Sequence, residues 1–327
     1  PPKKGDDPNH THFPGFEAVF GVEWPSTPAT WIEVDAAELA RVIRIEDRHQ
    51  AIHHAVSLYS QAIVEHLRQG SESGIDLWMA VVPEDVYRYC RPQSKVEKDE
   101  RQRPEVLMNK EAATRLLQAP GLFDEDNVAA EVYLYELDFH NQLKARLLEH
   151  KVAVQVLRET TLAPEDFIKA NGMPLRGLQD PATLAWNLAT TCFFKAGGRP
   201  WQLGMARPGV CYVGIVFKKD FSSPEPGNAC CGAQMFLESG DGIVFRGAVG
   251  PWMTEADDDF HLPRDKARAL MQLVVDAYRK NHGGEAPKEL FIHGKTRFDA
   301  EEWEGFRETV PAETNVVCVR IRPDSSL

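Results

Sequence analysis

The first 70 residues alternate between strand-like and helix-like spacing of their apolar positions. Aromatic and β-branched residues alternate over 16–24 and stop before Pro25, which predicts a strand. Residues Asp35 to Glu38 form a capping-box motif, which predicts the start of a long helix that ends at Gly70. Apolar residues recur on one face of this helix at Ile52, Val56, Tyr59, Ile63 and Leu67.

Strand and helix patterns then follow one another with short connections up to residue 200. The predicted elements are buried parallel strands over 75–82 and 152–157 and helices over 139–150 and 181–195. The charged run 95–103 contains few apolar residues and predicts an exposed or mobile insertion. This order predicts a doubly wound α/β domain over 16–200, preceded by a polar segment over 1–15.

The pattern changes after Pro200, where three strand-like segments precede an alternation of helices and strands. The predicted strands cover 209–219, 233–237, 242–247, 289–293 and 315–321, and the predicted helices cover 264–281 and 300–306. A turn from Ser239 to Gly242 joins the second and third strands. We therefore predict a second α/β domain over 201–327, with a sheet that is incomplete at the C-terminus.

The length of 327 residues agrees with two domains, at about 100–200 residues per domain. No apolar run reaches the roughly 20 residues that cross a bilayer, and no charged-then-apolar leader is visible. We therefore expect a cytoplasmic protein that is neither secreted nor embedded in a membrane. The six cysteines show no CxxC spacing, which predicts reduced thiols rather than a zinc site or a disulfide framework.

The net charge of −12 argues against a protein that coats nucleic acid through bulk positive charge. Residues 1–150 contain 16 basic and 26 acidic side chains, whereas residues 151–327 contain 21 and 23. The second half of the chain is thus the better location for an anionic ligand, and any contact with nucleic acid must be local.

Polar residues on two predicted helices and one predicted strand favour a common anion site. His140 and Lys144 stand four residues apart and so share a helix face. Gln155 lies in an apolar strand, where an unbonded amide costs about 1–3 kcal/mol. Three more polar residues repeat the four-residue spacing on the later helix: Asn187, Thr191 and Lys195. These donors suit a terminal phosphate; solvated lysines and a satisfied core amide are the alternative.

Four segments carry a resemblance to a known family. They are HNQLK (140–144), VAVQVL (152–157), TLAWNLATTCFFKAGG (183–198) and ELFIHGKTRF (289–298). Together they resemble the MID and PIWI domains of a prokaryotic Argonaute, of the short kind that lacks N-terminal and PAZ domains. The resemblance covers roughly residues 16–327 and implies a Rossmann-like MID domain followed by an RNase H-like PIWI domain.

In that family the MID pocket anchors the 5′-phosphate of a guide strand. The resemblance assigns this role to His140, Lys144, Gln155 and Lys195, with Asn187 beside them. Thr191 stands where many relatives have a further lysine, so the pocket has one cation fewer. This departure favours help from a divalent metal, and Mg²⁺ at the guide 5′-phosphate is the cofactor that we expect.

Slicing members of the family use PIWI carboxylates to hold two Mg²⁺ ions about 3.5–4 Å apart. The first carboxylate belongs at the position of Val216 and another at the position of Gly294. Neither residue can bind a metal, so we expect no catalytic residue and no metal at the PIWI acids. His293 and Lys295, at the end of a predicted strand, are weaker candidates for contact with a nucleic-acid backbone.

The resemblance implies a guide-binding protein that does not slice. We expect guide RNA, with a guide DNA as the alternative, and a complementary single-stranded DNA target that is recognised by base pairing. Short Argonautes pair with an APAZ-containing effector subunit, as a heterodimer or larger assembly, and target recognition activates that effector in prokaryotic immunity. The acidic balance of this chain agrees with such a partner, which would complete a basic channel.

Two other functions stay open at this stage. One is an active nuclease with displaced carboxylates such as Asp220, Asp241 or Asp257. The other is a phosphate-binding α/β enzyme that acts on a small molecule, although no GxGxxG or GxxxxGK[ST] loop is present. The acidic run 257–259 beside His261 is read as a solvated turn, and His53 as part of a helix face.

Overall fold

The computed structural model describes residues 12–70, 74–200, 207–219, 228–237, 242–254 and 259–322. The chain divides into two compact units, Pro1–Pro200 and Trp201–Leu327. No helix in the described part of the chain combines the length and apolar character needed to span a membrane. Five cysteines in the described segments are free thiols: Cys90, Cys192, Cys211, Cys231 and Cys318.

The described part of the first unit consists of nine α-helices, two short 3₁₀ helices and two strands. The α-helices are α1 Phe16–Phe20, α2 Ala36–Val42, α3 Arg48–Arg68, α4 Glu84–Tyr89, α5 Lys110–Gln118, α6 Asp124–Glu131, α7 Phe139–Glu149, α8 Glu159–Leu162 and α9 Pro181–Lys195. The 3₁₀ helices are Val132–Leu134 and Pro164–Asp166. Strands β1 Trp78–Val82 and β2 Val154–Arg158 pair in parallel, with Met79 opposite Gln155.

The segment predicted as a strand over 16–24 is wrong, because residues Phe16–Phe20 form helix α1. Phe16 and Phe20 are four residues apart, and a helix brings their ring centroids to 4.9 Å. Phe20 also stacks on Phe193 of α9, with centroids 4.3 Å apart. Gly21 then ends the helix in the left-handed conformation, at φ 68°. Packing between distant aromatic residues thus overrides the local alternation.

The single long helix predicted from Asp35 is two helices. Asp35 caps α2 by accepting from the backbone N–H groups of Ala37 and Glu38. Asp47 caps α3 in the same way through Gln50 N, at 3.0 Å. The chain turns between these two helices, and the turn places Ile45 in the core, where it is fully buried. The end near Gly70 agrees with α3, and the predicted apolar face is buried except at Leu67, which is exposed.

A doubly wound sheet is not present in the described part of the first unit, which has only the two parallel strands. The β1 residues Ala80 and Val82 are buried, whereas Met79 and Val81 on the opposite face are exposed. The continuous apolar run therefore predicted the strand but not its one-sided burial. Most residues of the charged run 95–103 are exposed, as predicted, whereas Val96 is buried in the core of this unit.

The described part of the second unit has a five-stranded sheet and two helices. Its elements are β3 Val210–Lys219, β4 Asn228–Phe236, β5 Gly242–Pro251, β6 Met253–Thr254, β7 Asp259–Phe260, α10 Arg264–Asn281, β8 Glu289–Gly294, α11 Ala300–Arg307 and β9 Asn315–Arg320. The main sheet has the order β5-β4-β3-β8-β9, in which β3, β4 and β5 are antiparallel and β3, β8 and β9 are parallel. The pair β6–β7 forms a separate small hairpin.

The predicted boundaries in the second unit are largely confirmed, and α10 spans the residues that the pattern indicated. One face of β3 is buried, with Cys211, Val213 and Ile215 in the apolar core that includes α10 residues. The predicted turn from Ser239 to Gly242 lies almost wholly outside the described residues. Strict alternation and long amphipathic helices explain why this half was the easier one to predict.

Candidate anion-binding site

Two capped helices and one strand position the predicted anion site in the first unit. Asp138 starts α7 by accepting from Asn141 N at 2.9 Å. Asp180 starts α9 by accepting from the backbone N–H groups of Ala182 and Thr183, and Pro181 occupies the first helical position. The caps therefore fix His140 at the beginning of α7 and place Lys195 in the last turn of α9.

Lys195 and Gln155 are in direct contact. The Lys195 Nζ donates to Gln155 Oε1 at 2.6 Å and to the backbone oxygen of Val154 at 2.6 Å. The amide nitrogen of Gln155 donates to Val156 O at 2.9 Å. An ammonium has three N–H donors, so one donor of Lys195 remains after these two bonds. The polar amide in the apolar strand is thus satisfied, and it orients the lysine.

The basic groups of this site influence one another. Burial lowers the pKa of Lys195, and the positive charge of Lys144 lowers it further. Burial also lowers the pKa of His140, with Lys144 the next cause and Lys195 a smaller one, while Asp138 opposes them. Among the described residues, neither lysine has a carboxylate within ion-pair distance. The site therefore carries positive charge that an anion would neutralise.

Asn187 and Thr191, the other two predicted residues, lie on α9 with Lys195. Asn187 is exposed and donates to Gln179 Oε1 at 3.1 Å. Thr191 lies one turn before Lys195 on α9 and is half-buried. Within the described part of the chain, neither side chain bonds to the Lys195–Gln155 pair. The structure thus places Lys195 and Gln155 in direct contact, whereas Lys144 and His140 are related to Lys195 only through the effects of their charges on pKa.

The two positions expected to lack metal-binding carboxylates lie in the sheet of the second unit. Val216, in β3, is 62 % exposed. Gly294 ends β8 and is buried, and a Cβ atom at this glycine would lie 2.6 Å from Phe298 Cζ. His293 stacks parallel to Tyr212 at a centroid distance of 6.2 Å, and Lys295 is exposed. The alternative acids, Asp220, Asp241 and Asp257, lie outside the described residues.

No protein-family model and no curated protein matches this sequence. Among solved structures, the chain is similar to Marinitoga piezophila Argonaute in complex with 5′ OH guide RNA, at 15% identity and TM-score 0.34, covering 50% of this chain and 22% of that one. The same Argonaute in complex with 5′ OH guide RNA and target DNA gives 12% identity and TM-score 0.38, covering 76% of this chain and 28% of that one. Aquifex aeolicus Argonaute gives 14% identity and TM-score 0.36, covering 74% of this chain and 26% of that one. The chain thus spans about a quarter of the length of these Argonautes.

A second polar cluster, in the second unit, surrounds Glu302. This carboxylate is fully buried, and burial raises its pKa. Its Oε2 lies 3.1 Å from His261 Nδ1, and its Oε1 accepts from Leu262 N. Asp299 forms a capping box with Glu302 and lies 3.8 Å from the same imidazole nitrogen. These three side chains are close enough to hold a metal ion, but the capping box and the His261 contact already account for their positions.

Sequence analysis missed a third group, in which Arg146 of α7 contacts His53 of α3. The Arg146 Nη2 lies 2.5 Å from His53 Nδ1, and Nη1 donates to Ser57 Oγ at 2.8 Å. The guanidinium also lies over the Tyr135 ring, 4.9 Å from its centroid. His53 and Arg146 are separated by 93 positions, so no local spacing relates them. The one available signal was His53 itself, a basic residue on the helix that was interpreted by its apolar face alone.

The His53 contact predicts a loss of stability in mild acid. Burial and the adjacent Arg146 lower the pKa of His53 to about 4, against about 6.5 in an unfolded chain. Between these values the unfolded chain binds more protons than the folded one, so stability falls as the pH drops from 6.5 to 4. The expected loss is roughly 3 kcal/mol, and urea unfolding at several pH values measures it.

The matched variants are His53→Gln and His150→Gln. The glutamine at position 53 can still accept from Arg146 but does not titrate, so the acid loss should shrink in this variant. His150 is exposed, and its replacement should leave the pH dependence unchanged. An equal acid loss in the wild type and in His53→Gln would show that another group is responsible.

Proposed function

We propose that this chain is the guide-binding part of a short Argonaute that anchors a 5′-phosphorylated guide RNA without slicing. The observation that carries the proposal is Lys195, which Gln155 and Val154 hold in place with one N–H donor uncommitted. The charge of Lys144 lowers the pKa of Lys195, and the charge of Lys195 lowers the pKa of His140. A terminal phosphate provides the opposite charge for this group.

The chemistry of a terminal phosphate matches the residues. It carries about −1.5 to −2 charges and three acceptor oxygens. Lys144 and Lys195 supply charged donors, and each charge-assisted bond contributes about 1.5–3 kcal/mol. A guide that ends in a hydroxyl lacks both the charge and the acceptors, so it loses these bonds. The pocket thus selects the end of the strand, while pairing with the guide would select a complementary single-stranded DNA.

The absence of slicing rests on the second unit. Two-metal cleavage needs carboxylates that fix both ions, and Val216 and Gly294 offer no ligand atom. The mixed sheet of β3, β4, β5, β8 and β9 supports the interpretation of this unit as an RNase H-like PIWI domain. The catalytic output is then supplied by an APAZ-containing effector subunit in the cytoplasm, in response to a recognised invader.

A Mg²⁺ ion beside the guide phosphate is less well supported by the described pocket. Mg²⁺ prefers oxygen ligands in a near-octahedral arrangement. The amide oxygen of Gln155 and the backbone oxygen of Val154 already accept from Lys195. Both oxygens thus already bind the lysine, and the proposal assigns no step to a metal ion.

The test compares three ligands on the wild-type chain, with any partner co-expressed. They are an RNA with a 5′-phosphate, the same RNA with a 5′-hydroxyl, and the free nucleoside monophosphate. We expect the phosphorylated RNA to bind about tenfold or more tightly than the hydroxyl form, and a loaded DNA target to stay intact with Mg²⁺. Equal binding of both RNAs would contradict the proposal. Preference for the free nucleotide would favour a small-molecule enzyme.

A further inference from the structure

A cleft of about 480 Å³ lies beside α3 and α7 in the first unit. Polar and charged side chains form most of its wall, including His53, Gln61, Arg68, Tyr135, Arg146 and His150. Its volume falls in the range of pockets that bind small molecules. The sequence analysis assigned no function to any residue of this wall.

Arg146 is a half-buried charge in this cleft that the described residues satisfy only in part. In the described part of the chain, no carboxylate lies within ion-pair distance of its guanidinium. Its Nε is enclosed and has no hydrogen-bond partner among those residues. Burial lowers the pKa of Arg146, although Tyr135 and Glu149 oppose this effect. A half-buried arginine without a counter-ion is costly unless an anion occupies the adjacent space.

His53 adds a second donor to the same wall. Arginine has only N–H donors, so the 2.5 Å contact requires His53 Nδ1 to act as the acceptor. The proton of the neutral ring is then on Nε2. No described residue bonds to this atom, and it is not enclosed by protein. The cleft therefore presents an imidazole N–H beside the guanidinium.

The cleft is separate from the guide pocket. His140 and Lys144 share one face of α7. Arg146 lies about 140° around the same helix from the middle of that face, at 100° per residue, and His150 follows the end of the helix. The residues that line the cleft include none of those assigned to the guide 5′-phosphate. A ligand bound here is therefore distinct from the guide end.

We propose that this cleft binds the phosphate group of a nucleotide. The planar fork of Arg146 suits phosphate oxygens, and the Nε2–H of His53 supplies a neutral donor beside it. Glu65 and Glu149 also line the cleft and would accept from amino groups, such as those of a base. A nucleotide satisfies both the basic and the acidic wall, which a bare inorganic anion does not.

The experiment uses the full chain with the double substitution Lys144→Ala/Lys195→Ala, which removes the lysines of the guide pocket. Calorimetry then measures binding of adenosine monophosphate and of adenosine. We expect saturable binding of the monophosphate and binding of adenosine weaker by about tenfold or more. No binding of the monophosphate to this variant would overturn the proposal. The proposed guide function is measured separately, with 5′-phosphorylated RNA on the wild type.

Arg146→Gln, added to the same background, tests the assignment of the residue. We expect the affinity for the monophosphate to fall about tenfold or more, whereas the exposed control Arg115→Gln should leave it unchanged. Because Arg146 is packed, circular dichroism of each variant shows whether it is folded. If Arg146→Gln is misfolded, the site is tested instead by NMR titration of His53 in the background variant, with and without adenosine monophosphate. Bound phosphate should raise the pKa of His53, and an unchanged pKa would contradict the site.

Competition identifies the source of the phosphate. An RNA with a 5′-hydroxyl carries phosphates only in its backbone. If it displaces the monophosphate, the cleft holds a strand; if it does not, the cleft holds a free nucleotide. Either result supports a phosphate site, and loss of both ligands in Arg146→Gln but not in Arg115→Gln completes the assignment.

Discussion

Replacing Lys195 by alanine should remove most of the preference for a 5′-phosphorylated guide. The ammonium loses its charge-assisted bond to the phosphate, which corresponds to roughly 10- to 150-fold in affinity. Binding of the 5′-hydroxyl guide should change little, since it lacks the acceptor group. Fluorescence anisotropy with the two guides of identical sequence measures both affinities.

The same substitution also affects folding, so a second variant is needed. Lys195→Ala leaves Gln155 Oε1 and Val154 O without their donor, at a cost of about 1–3 kcal/mol. Lys144→Ala removes a cation from the same site without breaking those two bonds. We expect it to reduce the phosphate preference while leaving stability nearly unchanged. The exposed Lys169→Ala is the charge control, and an equal loss in all three variants would refute the pocket.

Replacing Gly305 by alanine should destabilise the second unit by about 1–3 kcal/mol or more. A Cβ atom at Gly305 would lie 2.5 Å from the carbonyl oxygen of Arg264 and 3.0 Å from Ala267 Cβ. Both atoms belong to α10, and a backbone oxygen cannot rotate away. A glycine-to-alanine change inside a helix normally stabilises by about 0.5–1 kcal/mol, so the expected sign is reversed.

Urea unfolding followed by circular dichroism tests this prediction. Gly177→Ala is the matched control, because a Cβ atom there meets nothing within 4 Å. We expect this control to be neutral or slightly stabilising. Wild-type stability in Gly305→Ala would mean that α10 and α11 are not in the close contact described above.

Helices with strong caps were predictable from the sequence, and tertiary contacts were not. Asp138 and Pro181 gave the starts of α7 and α9, because caps and a first-turn proline act locally. The helix over Phe16–Phe20 was missed since its stability comes from packing on Phe193. The small parallel pair β1–β2 was read as a larger sheet because an apolar run does not reveal how many strands lie beside it.

In the candidate site, too, local features were predictable and long-range contacts were not. The four-residue spacing of His140 and Lys144 predicted a shared helix face. The bond between Lys195 and Gln155 joins positions 40 residues apart, which no local spacing relates. The contact between Arg146 and His53 had neither a local spacing nor a motif to indicate it. Sequence patterns thus identify faces of elements, and folding decides which faces meet.

The crowding at Gly294 limits which residues this position can accept. An aspartate at position 216 needs one substitution at an exposed site. An aspartate at position 294 would collide with Phe298, which packs against Phe306 at a centroid distance of 5.7 Å. A smaller residue at position 298 must therefore come first, and that change alone creates a cavity. Introducing carboxylates at both positions is thus ordered: the change at position 298 precedes the one at position 294 and is unfavourable by itself.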